Sequence, residues 1–314
     1  MAAATTIMKA VRIHAYGGPE VLKYEDAPRP RPAPGEALIN VRACAINPID
    51  WKVRAGHFKM GHTLPLTLGW DIAGVITELG PGASWEVGDE VYTRPNVGRN
   101  GGYAEYMVVR EAELAAKPRT VDYPHAAAIP LAGLTAWQAL FDHAQLQPGQ
   151  SVLIHAASGG VGHYAVQLAR WRGAHVIATA SAENREFVMN LGAEHFIDYK
   201  TTRFEDVVKN VDVVIDTLGG ETQIRSLPTL RRGGILVSTL QAPLVEQLRA
   251  LGVRGVNFMA QTMPDQLVEL ARLVDTGEVI PHIEAILPLS EARRAHEISE
   301  AGHVRGKLVL RIDE

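Results

Sequence analysis

One heptapeptide constrains the fold of this chain more than any other feature. Ala156-Ala157-Ser158-Gly159-Gly160-Val161-Gly162 follows an unbroken apolar run and opens a stretch with helical spacing. It matches the G-x-G-x-x-G pattern, with Ala157 in the first glycine place, then Gly159 and Gly162. Between a strand and a helix, that pattern cradles the pyrophosphate of a dinucleotide. Gly159 lets the backbone approach the ligand, and Gly162 lets helix and strand pack closely. The helix N-terminus adds N–H donors and a positive dipole. A tight turn without a ligand is the plainer alternative.

The surroundings fit that setting. Apolar runs of strand length recur at Ser151–Ala156, His175–Ala180, His195–Tyr199, Val211–Leu218, Gly234–Leu240 and Val253–Ala260, with helical patterns between them. Val152-Leu153-Ile154 and Val213-Val214-Ile215 are continuous rather than alternating, as in strands buried on both faces of a parallel sheet. Residues 123–276 are therefore expected to form a doubly wound α/β domain of the Rossmann type. Residues 1–122 differ in texture: short apolar runs are broken by Pro34-Gly35, Gly80-Pro81-Gly82 and Gly101-Gly102, which points to a β-rich barrel or sandwich. After a helix at Asp265–Thr276, strand, helix and strand patterns follow at Ile280–Leu289, Ser290–Ala301 and Lys307–Ile312. That tail is too short for a core of its own. It is expected to return to the first domain, making the latter discontinuous (1–122 and 277–314).

Composition removes several functional classes. The chain has 314 residues, enough for two domains at roughly 150 residues each. Its 31 Lys and Arg against 35 Asp and Glu give a net charge of −4, without the basic stripe of a nucleic-acid binder. No apolar run approaches the roughly 20 residues of a membrane span. One cysteine, Cys44, excludes a disulfide framework and any multi-cysteine metal site, and packing is its expected role. The opening residues show no signal or transit architecture, so a cytoplasmic location is expected.

The end of the second Rossmann strand bears on cofactor choice. A carboxylate there would bind the ribose 2′-hydroxyl of NAD. This strand instead ends Thr179-Ala180-Ser181, followed by Asn184 and Arg185. Arg185 suits a 2′-phosphate as a charged fork, with Lys200 as a second cation, so NADPH is expected. Glu183 is the counterweight, and a solvated Arg185 the bland alternative.

With these residues in hand, the chain resembles the medium-chain dehydrogenase/reductases, in their zinc-independent quinone oxidoreductase branch. The likeness runs from about Met8 to the C-terminus and rests on Tyr16–Leu22, Ile46-Asn47-Pro48-Ile49-Asp50, Gly88–Val91, Gly102–Tyr106, Leu134–Trp137, Ala156–Gly162 and Gly306–Val309. It implies a GroES-like catalytic domain beside the Rossmann domain, and a homodimer paired through the edge strand Val253–Ala260. Zinc relatives hold their metal with Cys, His, a nearby Glu and a second Cys. Here Asn47, Trp70-Asp71 and Leu131 fall at those places, so no metal is expected.

The resemblance also nominates site residues. Asn47 is placed to donate to the substrate oxygen or pack the nicotinamide, with a turn role before Pro48 as the alternative. Lys52 is a candidate proton donor or simply an exposed lysine. Trp70 is a pocket wall or ordinary core. Thr135, expected to begin a helix after Gly133, resembles a nicotinamide contact. Phe258 ends the sixth strand near the nicotinamide amide, and Tyr199, Leu218 and Lys307 complete the expected cofactor set with Ala157–Gly162, Thr179, Ser181, Asn184 and Arg185. Asp50 is expected to pin a helix N-terminus. The function implied is NADPH-dependent, zinc-independent hydride transfer to a quinone or enone. A 2-enoyl-thioester or enone reductase, and a non-catalytic NADPH-binding protein, stand as alternatives.

Overall fold

The computed structural model describes residues 6–58 and 61–312. The expectation about the opening residues falls in part on 1–5, outside the described residues. Contacts divide the chain into two compact units: residues 1–131, 262–277 and 281–314, and residues 132–261 with 278–280.

The first unit begins with β1 (Ile7–Ile13), β2 (Leu22–Pro28) and β3 (Glu36–Ile46), then α1 (Pro48–Arg54). β4 (Leu66–Thr67), β5 (Ile72–Leu79), β6 (Glu90–Thr93), β7 (Tyr106–Arg110), β8 (Ala115–Ala116) and α2 (Tyr123–Ala127) follow. α3 (Pro130–Trp137) leads into the second unit, where a π-helix (Gln138–His143) continues it. The second unit then alternates β9 (Ser151–Ile154), α4 (Gly162–Trp171), β10 (His175–Ala180), α5 (Arg185–Asn190), β11 (His195–Asp198), α6 (Phe204–Val207), β12 (Val211–Asp216), α7 (Gly220–Ser226), β13 (Leu230–Ser238), α8 (Val245–Leu251) and β14 (Arg254–Asn257). α9 (Pro264–Asp275), β15 (Ile283–Pro288), α10 (Ala292–Ala301) and β16 (Lys307–Arg311) return to the first unit.

In the second unit all six strands are parallel, in the order β11-β10-β9-β12-β13-β14. The order reverses between β9 and β10 on one side and β12 on the other, the switch point at which such sheets bind ligands. Val152–Ile154 and Val213–Ile215 are fully buried, which explains their unbroken apolar sequence.

The first unit holds a three-stranded sheet, β2-β1-β4, and a seven-stranded one, β15-β16-β3-β5-β6-β8 with β7 also on β3. β16 lies antiparallel to β3, pairing Leu308 with Ile46 and Leu310 with Cys44. The boundaries differ from those expected at 122/123 and 276/277. α2 packs on β3 and β5, while α9 packs on β8 and takes a bond from Tyr92 Oη at Leu267 O. Apolar faces turned to the β-rich core thus draw both helices out of the Rossmann domain. The sixth strand is also shorter than expected, four residues rather than eight. Among the described residues, no helix is long and apolar enough to cross a membrane.

Candidate functional site

The site of the first unit grows from the turn between β3 and α1. Pro48 occupies the first helical turn, where its fixed φ costs nothing. Asp50 reaches back so that its Oδ2 accepts the Asn47 N–H at 2.8 Å. This pins the turn that carries Asn47, which is buried at 3% exposure. Asn47 Nδ2 donates to Asp71 Oδ2 at 2.9 Å, and Asn47 Oδ1 accepts from Lys307 Nζ. Lys307 Nζ also faces Ile46 O at 3.2 Å and Asp71 Oδ2 at 3.5 Å. Asp71 Oδ1 takes the Leu131 N–H at 2.7 Å. Burial pushes the Asp71 carboxyl above its usual range, against the pull of Lys307 and the donors from Asn47 and Leu131.

A second chain of polar groups backs this cluster. Arg54 has only donors, so its Nη1 donates to His296 Nδ1 at 3.1 Å, which places the ring proton on Nε2. That Nε2–H donates to Tyr103 Oη at 3.1 Å, and Tyr103 donates to Asp50 Oδ2 at 2.9 Å. Arg54 is also tied to Glu300 and to Gly17 O. Asp50 Oδ1 is buried without a partner. Burial raises the Asp50 carboxyl to about 7, opposed by its two donors and by Lys307. Burial, with Arg54 beside it, holds His296 down at about 3.

Several expected residues take other places. Lys307 is 3% exposed, and its ammonium is directed at three protein oxygens. Trp70 belongs to the core, donating Nε1 to Arg99 O and stacking on His62 at 5.8 Å. Lys52 is half-buried beside the Trp51 ring, and burial lowers its pKa. Cys44 is fully buried, and burial pushes its thiol up. A Cβ on Gly69, whose φ is +91°, would collide with Tyr103 and Cys44, so the backbone beside Trp70 requires glycine.

In the second unit, β9 delivers His155 and then the glycine-rich turn. Ala156 adopts φ +49°, a left-handed conformation uncommon for a residue with a side chain. A Cβ on Gly162 would lie 2.1 Å from Ala156 O, so only glycine lets α4 start there. Ala157 is buried and hydrogen-bonds the Thr179 carbonyl, while Ser158, Gly159, Gly160 and Val161 are partly open. The cradle fits a dinucleotide pyrophosphate: backbone approaches without side chains, at a helix N-terminus. Thr179 Oγ1 donates to His155 Nδ1 at 3.0 Å, and His155 Nε2–H donates to Ser226 Oγ at 2.8 Å, whose own proton goes to Thr222 O. Burial holds His155 near 4, so it is a neutral strut under the turn.

Beyond the second strand, Asn184 donates to Ser181 Oγ at 3.0 Å, and Glu183 lies 3.7 Å from Lys200. The Ser181 hydroxyl is the main influence holding the Glu183 carboxyl below its usual range. Arg185 is exposed over the Phe196 ring at 5.3 Å. Tyr199 and Leu218 are exposed, and Phe258 packs on His143 at 4.4 Å. Asp216 Oδ1 accepts the Leu218 and Gly219 N–H groups, and its Oδ2 accepts Gln223 and Ser238, which fixes the turn bearing Leu218. Thr135 does not begin a helix; it lies inside α3, which starts at Pro130 and absorbs Gly133. Sequence reasoning missed His155, Asp216, Tyr103, His296 and Arg54. The first two carried a signal, a polar residue closing a buried strand just before a glycine turn.

Residues 33–119 match the family described as alcohol dehydrogenase GroES-like domain, and residues 191–310 the one described as zinc-binding dehydrogenase. The quinone oxidoreductase of Rattus norvegicus is 33% identical over 99% of both chains. The NAD(P)H oxidoreductase RTN4IP1 of Mus musculus is 34% identical over 99% of this chain and 90% of its own. The solved quinone oxidoreductase of Coxiella burnetii superposes with a TM-score of 0.92 at 37% identity, covering 98% of this chain and 100% of that one.

The zinc in the second family description does not fit the donors present. At the ligand positions stand a carboxamide paired to an ammonium, an indole donating its proton, and a leucine offering an N–H. Asp71 alone cannot supply the three ligands that a catalytic zinc needs. The chain is a mixed α/β oxidoreductase with a GroES-like unit and a Rossmann unit, and it belongs to the nicotinamide-dependent medium-chain dehydrogenase/reductase family, in its quinone oxidoreductase branch.

Proposed function

We propose that the protein is an NADPH-dependent, zinc-independent reductase of quinones or other activated carbonyl and alkene acceptors. The observation that carries this reading is the cluster at the family's metal position. Lys307, Asp71 and Asn47 satisfy one another there and leave no ligand set for a Lewis acid. Alcohol oxidation needs an alkoxide stabilised, the task of that metal. An electron-poor acceptor needs less: its reduced form spreads charge onto a conjugated oxygen, which a hydrogen-bond donor can meet. Asn47 supplies that donor in this reading.

When bound, the nicotinamide supplies the hydride. The chain's own work is to hold the pyrophosphate on Ala157–Gly162, to seat the adenosine end near Ser181 and Arg185, and to exclude water. NADPH is favoured because the second strand ends without a carboxylate and because Glu183 is engaged by Lys200 and Ser181. Arg185 is then the open cation for a 2′-phosphate. The partner is a small molecule. A homodimer is proposed from the edge strand, and the cytoplasm from a chain with one buried cysteine and no disulfide to maintain.

The test is a panel of quinones, enones and enoyl thioesters run with NADPH and NADH, on wild type and Arg185→Ala. One charge-assisted contact is worth about 1.5–3 kcal/mol, roughly ten- to a hundredfold. Quinone turnover should therefore favour NADPH by at least about tenfold in kcat/KM. Arg185→Ala should erase most of that ratio. Equal cofactors in wild type would reject the 2′-phosphate site, and turnover confined to thioesters would reject the quinone assignment.

A further inference from the structure

We propose that Asp71 and Lys307 are positioning residues that lock the Asn47 carboxamide in one orientation, with an N–H held ready for the acceptor's oxygen. This rests on the reading above, in which Asn47 meets that oxygen. A carboxamide has two faces of nearly equal shape, and nothing in its sterics tells oxygen from nitrogen. Here the charges tell them apart. Lys307 carries donors only, so the group it approaches is Oδ1. Asp71 Oδ2 lies 2.9 Å from the other end and accepts one Nδ2 proton. Turning the amide over would set NH₂ against the ammonium and oxygen against the carboxylate. Both clashes would arise among side chains no more than 3% exposed, where water cannot soften them.

The rest of the environment makes the lock rigid. Lys307 cannot swing away, because Ile46 O and Asp71 Oδ2 take its remaining directions. Asp71 is anchored at its other oxygen by the Leu131 N–H, and the Asn47 backbone by Asp50. One Nδ2 proton is left without an acceptor among the described residues. The arrangement therefore presents a single fixed donor, built without a metal at the position where relatives place one.

A purely structural ion pair would predict something different, and three measurements separate the two. Removing either charge alone leaves the other to orient the amide, so Lys307→Met and Asp71→Asn should each cost kcat only about twofold to fivefold. The double variant Asp71→Asn/Lys307→Met removes both charges together and keeps the packing volume, so it is the variant most apt to fold; a melting curve checks this. Its kcat should fall about tenfold or more, since a reacting contact misplaced by about 1 Å costs up to a hundredfold. Its cofactor Kd should stay within about twofold of wild type, because the pyrophosphate cradle is untouched.

Adding Asn47→Ala to the double variant should cost no more than Asn47→Ala alone. The Asn47 side-chain amide, selectively labelled with nitrogen-15, should show in wild type one Nδ2 proton shifted downfield by the Asp71 carboxylate and slow to exchange with solvent, and in the double variant that shift and protection should be lost. An unchanged amide signal in the double variant would overturn the lock. Additive losses, or an unchanged kcat, would overturn its action through Asn47. Asn47→Ala with full kcat would instead reject Asn47 as the acceptor contact, and the lock's catalytic purpose with it. If wild type turns over no acceptor at all, the function assignment fails while the amide signal still decides the lock.

Discussion

Asp50 sits in the core of the first unit with two donors on one carboxylate oxygen and none on the other. The cations near it are already engaged, Lys307 with Asp71 and Arg54 with Glu300, so the charged form of Asp50 has no partner of its own. Its folded pKa near 7 lies above the unfolded value near 3.8. Between those pH values the native state holds a proton that the unfolded chain has lost, so stability from this group falls as pH rises and levels off above about 7. Asp50→Asn cannot ionise and escapes that loss. The difference in unfolding free energy between variant and wild type should widen in the variant's favour from pH 4 to 7, by up to about 1.4 kcal/mol per pH unit. His155 and His296, held neutral in the fold, act in the opposite sense but equally in both proteins. Parallel pH profiles in denaturant titrations would contradict this account. At this scale the sequence was partly legible. The Asn47–Pro48–Asp50 spacing announced a capped helix, and the family likeness named Lys307 but gave it to the cofactor, whereas nothing local could announce His296, which reaches Arg54 across 242 positions.

β14 ends the six-stranded sheet, and its outer edge has no strand beside it among the described residues. The flanking segments expose Leu240, Leu244, Val245 and Met259, each to about half. A bare parallel edge with apolar neighbours is an invitation to pairing. Light scattering at micromolar concentration should therefore give twice the chain mass of 34.1 kDa; a monomer there would remove this edge from any assembly. Elements differed in how plainly the sequence declared them. β9 and β12 stood out because burial on both faces makes a strand uniformly apolar. β1 and β2 did not: Lys9, Arg12, Lys23, Glu25 and Asp26 interrupt them, and their buried residues follow neither a continuous run nor a strict alternation. The start of α3 was misread because Gly133 looks like punctuation, yet Pro130 at the first turn and tight packing carry a helix through a glycine that costs about 1 kcal/mol.

For the whole molecule, metal independence is the sharpest expectation. Because Asp71, Asn47 and Lys307 satisfy one another, exhaustive chelation should leave turnover unchanged, and elemental analysis should find no stoichiometric zinc. A zinc per chain lost together with activity would reverse that. The two-unit plan was legible from texture, a punctuated β-rich stretch against alternating strand and helix patterns. Its borders were less so, because α2 and α9 have helical sequences that fit either neighbour until packing decides. The late return of the chain has a consequence for biosynthesis. Asn47 and Lys307 lie 260 positions apart, and β16 supplies the strand beside Ala43–Ile46 of β3. A ribosome releases β3 long before β16, while every strand of the parallel sheet emerges in between. All six strands of the parallel sheet are thus made while the nascent chain still lacks Asp71's counter-ion. Until β16 is translated, the polar cluster around Asn47 lacks both the strand and the ammonium that complete it.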